Sequence, residues 1–295
     1  MKCGYVAVLG QSNAGKSSLV NFLVGEEVAI VSHRRQTTRN SILGIKNGVF
    51  LGEDNIESNH KKEAKKGEAY QIVFVDTPGI HHSKNNLDKF MMKNVRSAIA
   101  GADVVLYLYD GSKVMDEEEN EYIENLRGKI ENLILVQTKS DKKQVVHDFD
   151  AICVSVVNGQ NMQTLERKIV ELLPEGQAIY DEDLYTDKSI SFLISEKVRG
   201  LLLENFDKEI PHGVAIVITS FEEDDAQVKI DAEIVCEREQ HKGIIIGKGG
   251  VNLKKIGALT REYAENLLGK KCVLKLFVKV DKDWRNKNVG EYGYF

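Results

Sequence analysis

The chain is short of cysteine: among 295 residues there are four, Cys3, Cys153, Cys236 and Cys272, far apart and without C-x-x-C spacing. Neither a zinc site nor a disulfide framework fits that pattern, so buried thiols are expected. No apolar run approaches the roughly 20 residues that span a bilayer. Met1-Lys2-Cys3-Gly4 leads directly into a strand and leaves no room for a signal peptide. Internal repeats and low-complexity tracts are also missing. The expectation is a cytoplasmic protein. At 42% hydrophobic and 29% charged residues the composition is that of a soluble globular chain, and its length suggests two domains.

The net charge of −5 argues by itself against nucleic acid, but its distribution reverses that inference. Residues 178–237 carry 5 Lys/Arg against 15 Asp/Glu, and residues 238–287 carry 13 against 5. One segment of net +8 therefore sits inside an acidic chain.

From residue 1 to about 175, apolar strands alternate with helical segments: Tyr5–Leu9, Gln71–Val75, Val104–Tyr109, Leu133–Gln137 and Ile152–Ser155. That alternation predicts an α/β domain with a mostly parallel sheet. Ile42–Leu51 reads as an added strand pairing with Gln71–Val75. The polar insert Glu53–Glu68 between them reads as a mobile hairpin tip with no assignable chemistry. Residues 176–187 read as a linker. Residues 188–295 then follow the order α-β-β-α-α-β, from a helix near Ser189–Phe206 to a last strand Cys272–Val280. This predicts a smaller α+β domain, a three-stranded sheet covered on one side by three helices.

The chemistry centres on Gly10-Gln11-Ser12-Asn13-Ala14-Gly15-Lys16-Ser17, which has the spacing G-x-x-x-x-G-K-[ST] after a strand and before a helix. Glycines at those places let backbone N–H groups surround a phosphate, and the helix adds its positive end. Lys16 is expected to reach the β and γ phosphates and Ser17 to ligate Mg²⁺, with Asn13, Ala14, Gly15 and Ser18 as further nucleotide contacts. Asp76-Thr77-Pro78-Gly79 also follows a strand. Asp76 would hold Mg²⁺ through a water, and the Gly79 N–H would sense the γ-phosphate. In Thr138-Lys139-Ser140-Asp141 the Asp141 carboxylate suits the N1–H and N2–H₂ donors that guanine has and adenine lacks. The Lys139 stem would cover the base, and the Ser155 backbone would reach its O6. Thr38, next to Arg39 in Gln36–Asn40, is the candidate to complete the Mg²⁺ shell only while the γ-phosphate is present.

In the basic segment, Gly247-Lys248-Gly249-Gly250 joins an apolar stretch to a helix as a G-x-x-G turn. Together with Lys242, Lys254 and Lys255 it predicts a KH module of type II, which holds about four single-stranded nucleotides. Trp284 and Arg285 read equally as RNA contacts or as a cap on the core.

In this order the motifs resemble the Era family of GTPases: the phosphate loop, Thr37-Thr38-Arg39, Asp76–Gly79, Thr138–Asp141 and Gly247–Gly250. The departures are Thr138, where the family usually has asparagine, and Val156, where it usually has alanine. The first is expected to loosen a tie between loops and the second to crowd the base. The resemblance implies GTP hydrolysis, binding near the 3′ end of 16S ribosomal RNA, and assistance to 30S subunit assembly; nothing in the sequence suggests a large apolar interface, so a monomer is expected, and peripheral contact with the inner face of the cell membrane stays open. Ile80 stands where a water-orienting glutamine would be, so slow intrinsic hydrolysis is expected, with Lys16, Thr38, Gly79 and Asn13 acting on the phosphates. K⁺ beside Asn13 would supply the missing positive charge. The rival reading is a regulatory or membrane-associated interaction protein with incidental RNA contact. A tRNA-modifying GTPase is disfavoured because no cysteine or cofactor motif for such chemistry is present.

Overall fold

A computed structural model describes residues 1–32, 34, 37–50, 67–207 and 210–294. The expected hairpin insert falls almost wholly at 51–66, outside the described residues. The chain divides into two compact units that are not continuous in sequence. The first comprises residues 1–28, 41–77 and 95–187, and the second 29–40, 78–94 and 188–295. Two stretches of the expected first domain, 29–40 and 78–94, thus belong to the second unit. So do Thr38 and Gly79.

The first unit holds a six-stranded sheet in the order β2-β3-β1-β4-β5-β6. Its strands are β1 (Lys2–Gly10), β2 (Ile42–Phe50), β3 (Glu68–Asp76), β4 (Val104–Asp110), β5 (Leu133–Thr138) and β6 (Ile152–Cys153). Only β2 is antiparallel, pairing with β3; the others run parallel. Val6, Ala7, Val8 and Leu9 of β1 have no exposed surface, the continuous apolar run of a strand covered on both faces. Around the sheet lie α1 (Lys16–Val24), α2 (Asn86–Ala100), whose residues 95–100 belong to this unit, α3 (Glu117–Arg127) and α4 (Met162–Leu172). Helix α3 starts where Asp116 accepts the Glu119 N–H at 2.8 Å, with three glutamates in its first turn to meet the dipole. Parallel strands end at one edge, so the loops carrying Gly10–Ser17, Asp76, Thr138–Asp141 and Ser155 all leave the sheet on the same side.

Residues 176–187 are bound into the first unit instead of hanging between domains. The Gln71 side-chain oxygen accepts the N–H groups of Ile179 and Tyr180, at 2.7 and 3.0 Å, and its amide donates to Tyr180 O at 2.8 Å. The Ile45 N–H donates to Tyr185 O at 3.0 Å.

The second unit is built from α5 (Ile190–Asn205), β7 (Val214–Glu223), β8 (Gln227–Cys236), α6 (Glu239–Ile246), α7 (Val251–Leu268) and β9 (Lys271–Val280). Its sheet has the order β7-β8-β9, with β7 antiparallel and β9 parallel to β8. One face packs as expected under the three helices: Val198, Leu202, Ile245 and Ile256 meet Val214, Ile216, Ile234 and Cys236. The other face departs from expectation. Alternation along β7 and β8 turns Ala215 and Val235 the opposite way, and these are covered by Leu87 and Met91 of α2 with Trp284, Tyr292 and Tyr294. The sheet is therefore covered in part on both sides.

Trp284 is fully buried, stacks on Tyr294 with ring centres 6.0 Å apart, and donates its indole N–H to Gly213 O at 3.0 Å. That settles the choice left open for it: Trp284 caps the core. Arg285 is engaged by Glu237 through two bonds of 3.0 and 2.6 Å. Trp284→Ala should destabilise the C-terminal module by about 3–5 kcal/mol. Trp284→Phe should cost less, because it leaves a smaller void and one unpaired carbonyl. Urea melts followed by circular dichroism provide the measurement.

Candidate nucleotide site and nucleic-acid interface

The turn after β1 takes backbone conformations that the sequence provides for. Gly10 has φ +143°, and a Cβ there would meet the Leu108 carbonyl oxygen at 2.2 Å; Gly15 has φ +95° and opens α1. Asn13 also has a positive φ, 67°, within reach of an asparagine. The Lys16 side chain turns back under the loop and donates to the carbonyls of Gly10 and Gln11 at 3.0 and 2.9 Å. Burial pushes its pKa down to about 8, against the upward pull of Asp76 and Glu119. A buried ammonium whose hydrogen bonds go to neutral carbonyls is chemistry that an anionic phosphate completes. Ser18 lies half-buried in the first turn of α1.

The Ser17 hydroxyl donates to Asp76 Oδ2 at 2.7 Å, bringing together two of the three candidate Mg²⁺ ligands. Both are hard oxygen donors of the kind Mg²⁺ takes, and Asp76 is fully buried at the end of β3. Thr77 fastens that turn by donating its hydroxyl to Val8 O at 2.7 Å. The third candidate, Thr38, is buried in the second unit. Gly79, also there, accepts at its carbonyl a 2.7 Å bond from His81 Nδ1, while His81 Nε2 stands 3.2 Å from Asp88.

Thr138 takes part in a tie between loops. Its hydroxyl lies 2.8 Å from Ala14 O and 3.0 Å from Tyr109 O, so the tie between the base loop and the phosphate loop is made by a hydroxyl instead of an amide. Lys139, with φ 60°, reaches across and donates to Asn13 O at 3.0 Å and Asp110 Oδ2 at 2.6 Å. Ser155 departs from its expected part. Its N–H donates to Gln160 O at 3.2 Å, leaving no proton for a guanine O6, while its hydroxyl donates to Asp141 Oδ1 at 2.6 Å. Ser155 therefore fixes the orientation of the Asp141 carboxylate.

Asp110, Gln137 and Gln144 escaped the sequence reading. Asp110 ends β4 as Asp76 ends β3, and that shared position was the available signal. Burial works against its ionisation, but the hydrogen bonds from Lys139 and Ser112 outweigh it and carry its pKa to about 2. Tyr109 donates to Gln137 at 2.9 Å, Gln137 to Gln144 at 2.8 Å, and Gln144 to Lys139 O at 2.7 Å, a chain of bonds that supports the base loop from below.

At the G-x-x-G turn between α6 and α7, Gly247, Gly249 and Gly250 have φ of 74°, 63° and 78°. Asn252 steadies the turn by donating to Ile244 O at 2.9 Å. Lys248, Lys254 and Lys255 are exposed, Lys242 is half-buried, and Lys255 donates to Asn205 at 2.7 Å. Ile244 and Val251, 48% and 60% exposed, flank the turn with apolar surface suited to bases. They too were missed, since apolar residues at helix ends look like core in a sequence.

Residues 5–139 match the family described as 50S ribosome-binding GTPase, and residues 209–285 match the KH domain family. The chain is 38% identical over 302 residues to GTPase Era of Alkaliphilus metalliredigens, covering 97% of this chain and 96% of that one. It is 37% identical to GTPase Era of Caldanaerobacter subterraneus, covering 99% and 98%. The chain belongs to the Era family of GTPases. Among solved Era structures, a variant from Aquifex aeolicus bound to GDP·AlF4⁻ and an Era in complex with MgGDPNP and nucleotides 1506–1542 of 16S ribosomal RNA each superpose with a TM-score of 0.87. Both are 32% identical, over 100% of this chain and 99% of theirs. No helix among the described residues is long and apolar enough to cross a membrane.

Asp110 generates a pH prediction for this Era-family chain. A carboxyl lowered from 3.8 to about 2 adds stability that is complete above about 4 and lost as pH falls through about 2. Asp110→Asn should therefore cost about 2 kcal/mol at pH 7, and its urea midpoint should converge on that of the unsubstituted chain as pH drops from about 4 towards 2.

Proposed function

We propose that this chain is a GTP-hydrolysing switch that binds 16S ribosomal RNA near its 3′ end and assists assembly of the 30S subunit. The observation that carries the reading is likeness over the full length to Era proteins, one of them holding MgGDPNP and 16S nucleotides together. The description of the first family names the large subunit, but it matches residues 5–139 only and leaves out the KH module. The working division is a GTP-binding domain at 1–175, a connecting segment at 176–187 and an RNA-binding domain at 188–295, acting as a cytoplasmic monomer.

In this reading Gly10, Asn13–Ser18, Asp76 and Gly79 receive the phosphates, with Lys16 holding the β and γ groups. Ser17, Thr38 and Asp76 hold Mg²⁺, which supplies positive charge where negative charge gathers on the transferring phosphoryl group. Asp141, oriented by Ser155, selects guanine, and Thr138 and Lys139 brace its loop against Asn13 and Ala14. Lys242, Gly247–Gly250, Lys254 and Lys255 take the RNA backbone. The rival, a regulatory or membrane-associated interaction protein with incidental RNA contact, draws support from the acidic stretch 178–237, a run that nucleic-acid phosphates would repel.

Crosslinking in cells, followed by sequencing of attached RNA, should place reads at the 3′ end of 16S ribosomal RNA. Gly249→Asp should abolish them. Nothing lies within 4 Å of a Cβ built at Gly249, and aspartate tolerates its left-handed backbone, so the loss would report charge. Gly249→Asn, of the same shape, should keep most of the reads. Diffuse reads unaffected by Gly249→Asp would favour the rival. Hydrolysis should also run faster in K⁺ than in matched Na⁺ buffer, and Asn13→Ala should remove that difference; equal rates in the two salts would dismiss the K⁺ role.

A further inference from the structure

Three distant stretches of chain converge on Arg39, which is 1% exposed. Its Nη1 donates to Val214 O and to the Tyr294 hydroxyl, each at 2.6 Å, and its Nη2 donates to His212 O at 2.9 Å. The guanidinium carbon also stands 5.8 Å from the ring centre of Tyr294 and 5.9 Å from that of Trp284. On the other side of Thr38, the Thr37 carbonyl accepts from Arg199 Nη2, and Arg199, equally buried, is paired through Nε and Nη2 with Glu196. Beyond Arg39, the Asn40 amide donates to Gly293 O at 3.3 Å. Thr37, Arg39 and Asn40 are thus each fastened, and Thr38 lies within the fastened run.

Every one of these partners belongs to the C-terminal module: Arg199 to α5, His212 to the turn before β7, Val214 to the first position of β7, and Gly293 and Tyr294 to the tail that also covers the sheet. A loop that must be ordered when ligand binds sets the lost conformational freedom against its affinity. A loop already held does so much less. We propose that Arg39, Arg199 and Tyr294 are positioning residues for Thr38, so that the nucleic-acid-binding module supplies the order on which affinity for the triphosphate depends. This rests on the reading that Thr38 ligates Mg²⁺ only in the presence of the γ-phosphate. Diphosphate affinity, which makes no use of Thr38, is then independent of the tail. Because coupling is reciprocal, the tail's closure is favoured by triphosphate and not by diphosphate.

The test uses the full chain and fluorescently labelled GDP and GDPNP, titrated at several Mg²⁺ concentrations. Tyr294→Phe keeps the ring against Trp284 and removes only the hydroxyl, and Arg39→Lys keeps the charge but loses the fork. Each should weaken GDPNP binding by about threefold to tenfold, raise the Mg²⁺ needed for it, and leave GDP affinity within about twofold. The emission of Trp284, the only tryptophan in the chain, checks that the face stays closed in both variants. Thr38→Ala is the reference. If it lowers the ratio of GDPNP to GDP affinity while Tyr294→Phe and Arg39→Lys leave that ratio unchanged, the positioning role is overturned and the Thr38 reading stands. If Thr38→Ala leaves the ratio unchanged, both fall. Equal weakening of GDP and GDPNP by the two variants would mark Arg39 and Tyr294 as merely structural and overturn the proposal as well.

Discussion

A positive charge taken out of water governs the first unit. Lys16 is 6% exposed and spends its hydrogen bonds on two carbonyls of its own loop, a poor exchange for hydration unless an anion arrives. The rest of the loop is arranged so that this can happen: a glycine, Gly10, where a Cβ would collide, a helix start behind it, and Asp76 near enough to help keep the ammonium charged at neutral pH. Asp110 plays the complementary part across the sheet edge, as a carboxylate held ionised by Lys139. Buried Lys16 and half-buried Lys139 thus frame the nucleotide reading.

Much of this was legible in the chain. The phosphate loop, Asp76 at a strand end and the G-x-x-G turn declare themselves because each depends on local backbone geometry, which glycine spacing and strand periodicity record directly. Alternation predicted the strands of both sheets closely, including the antiparallel partner of β3.

What escaped was set by contacts far apart in sequence. Arg39 looked like a polar neighbour of Thr38, yet its partners lie 173–255 residues away. The second covered face of the C-terminal sheet was hidden for the same reason, since Leu87 and Met91 come from the stretch between two nucleotide motifs. Ser155 was assigned a backbone part and instead serves Asp141 with its hydroxyl, because the turn to Gln160 occupies its N–H. Trp284 could not be decided from sequence at all, as an aromatic after a last strand faces core or solvent according to what folds back over it.

The bond between Arg39 and Tyr294 spans 255 residues, and this bears on the order in which the molecule can be completed. A ribosome adding roughly 5–20 residues per second needs on the order of 13 to 51 seconds to travel from one partner to the other. The first unit has all its residues once position 187 is made, whereas the Thr37–Asn40 run still lacks Gly293 and Tyr294, which help to fasten it. The segment that follows the first helix is therefore among the last in the chain to acquire its final form, and a newborn molecule holds a finished phosphate loop well before the Thr37–Asn40 run is fastened.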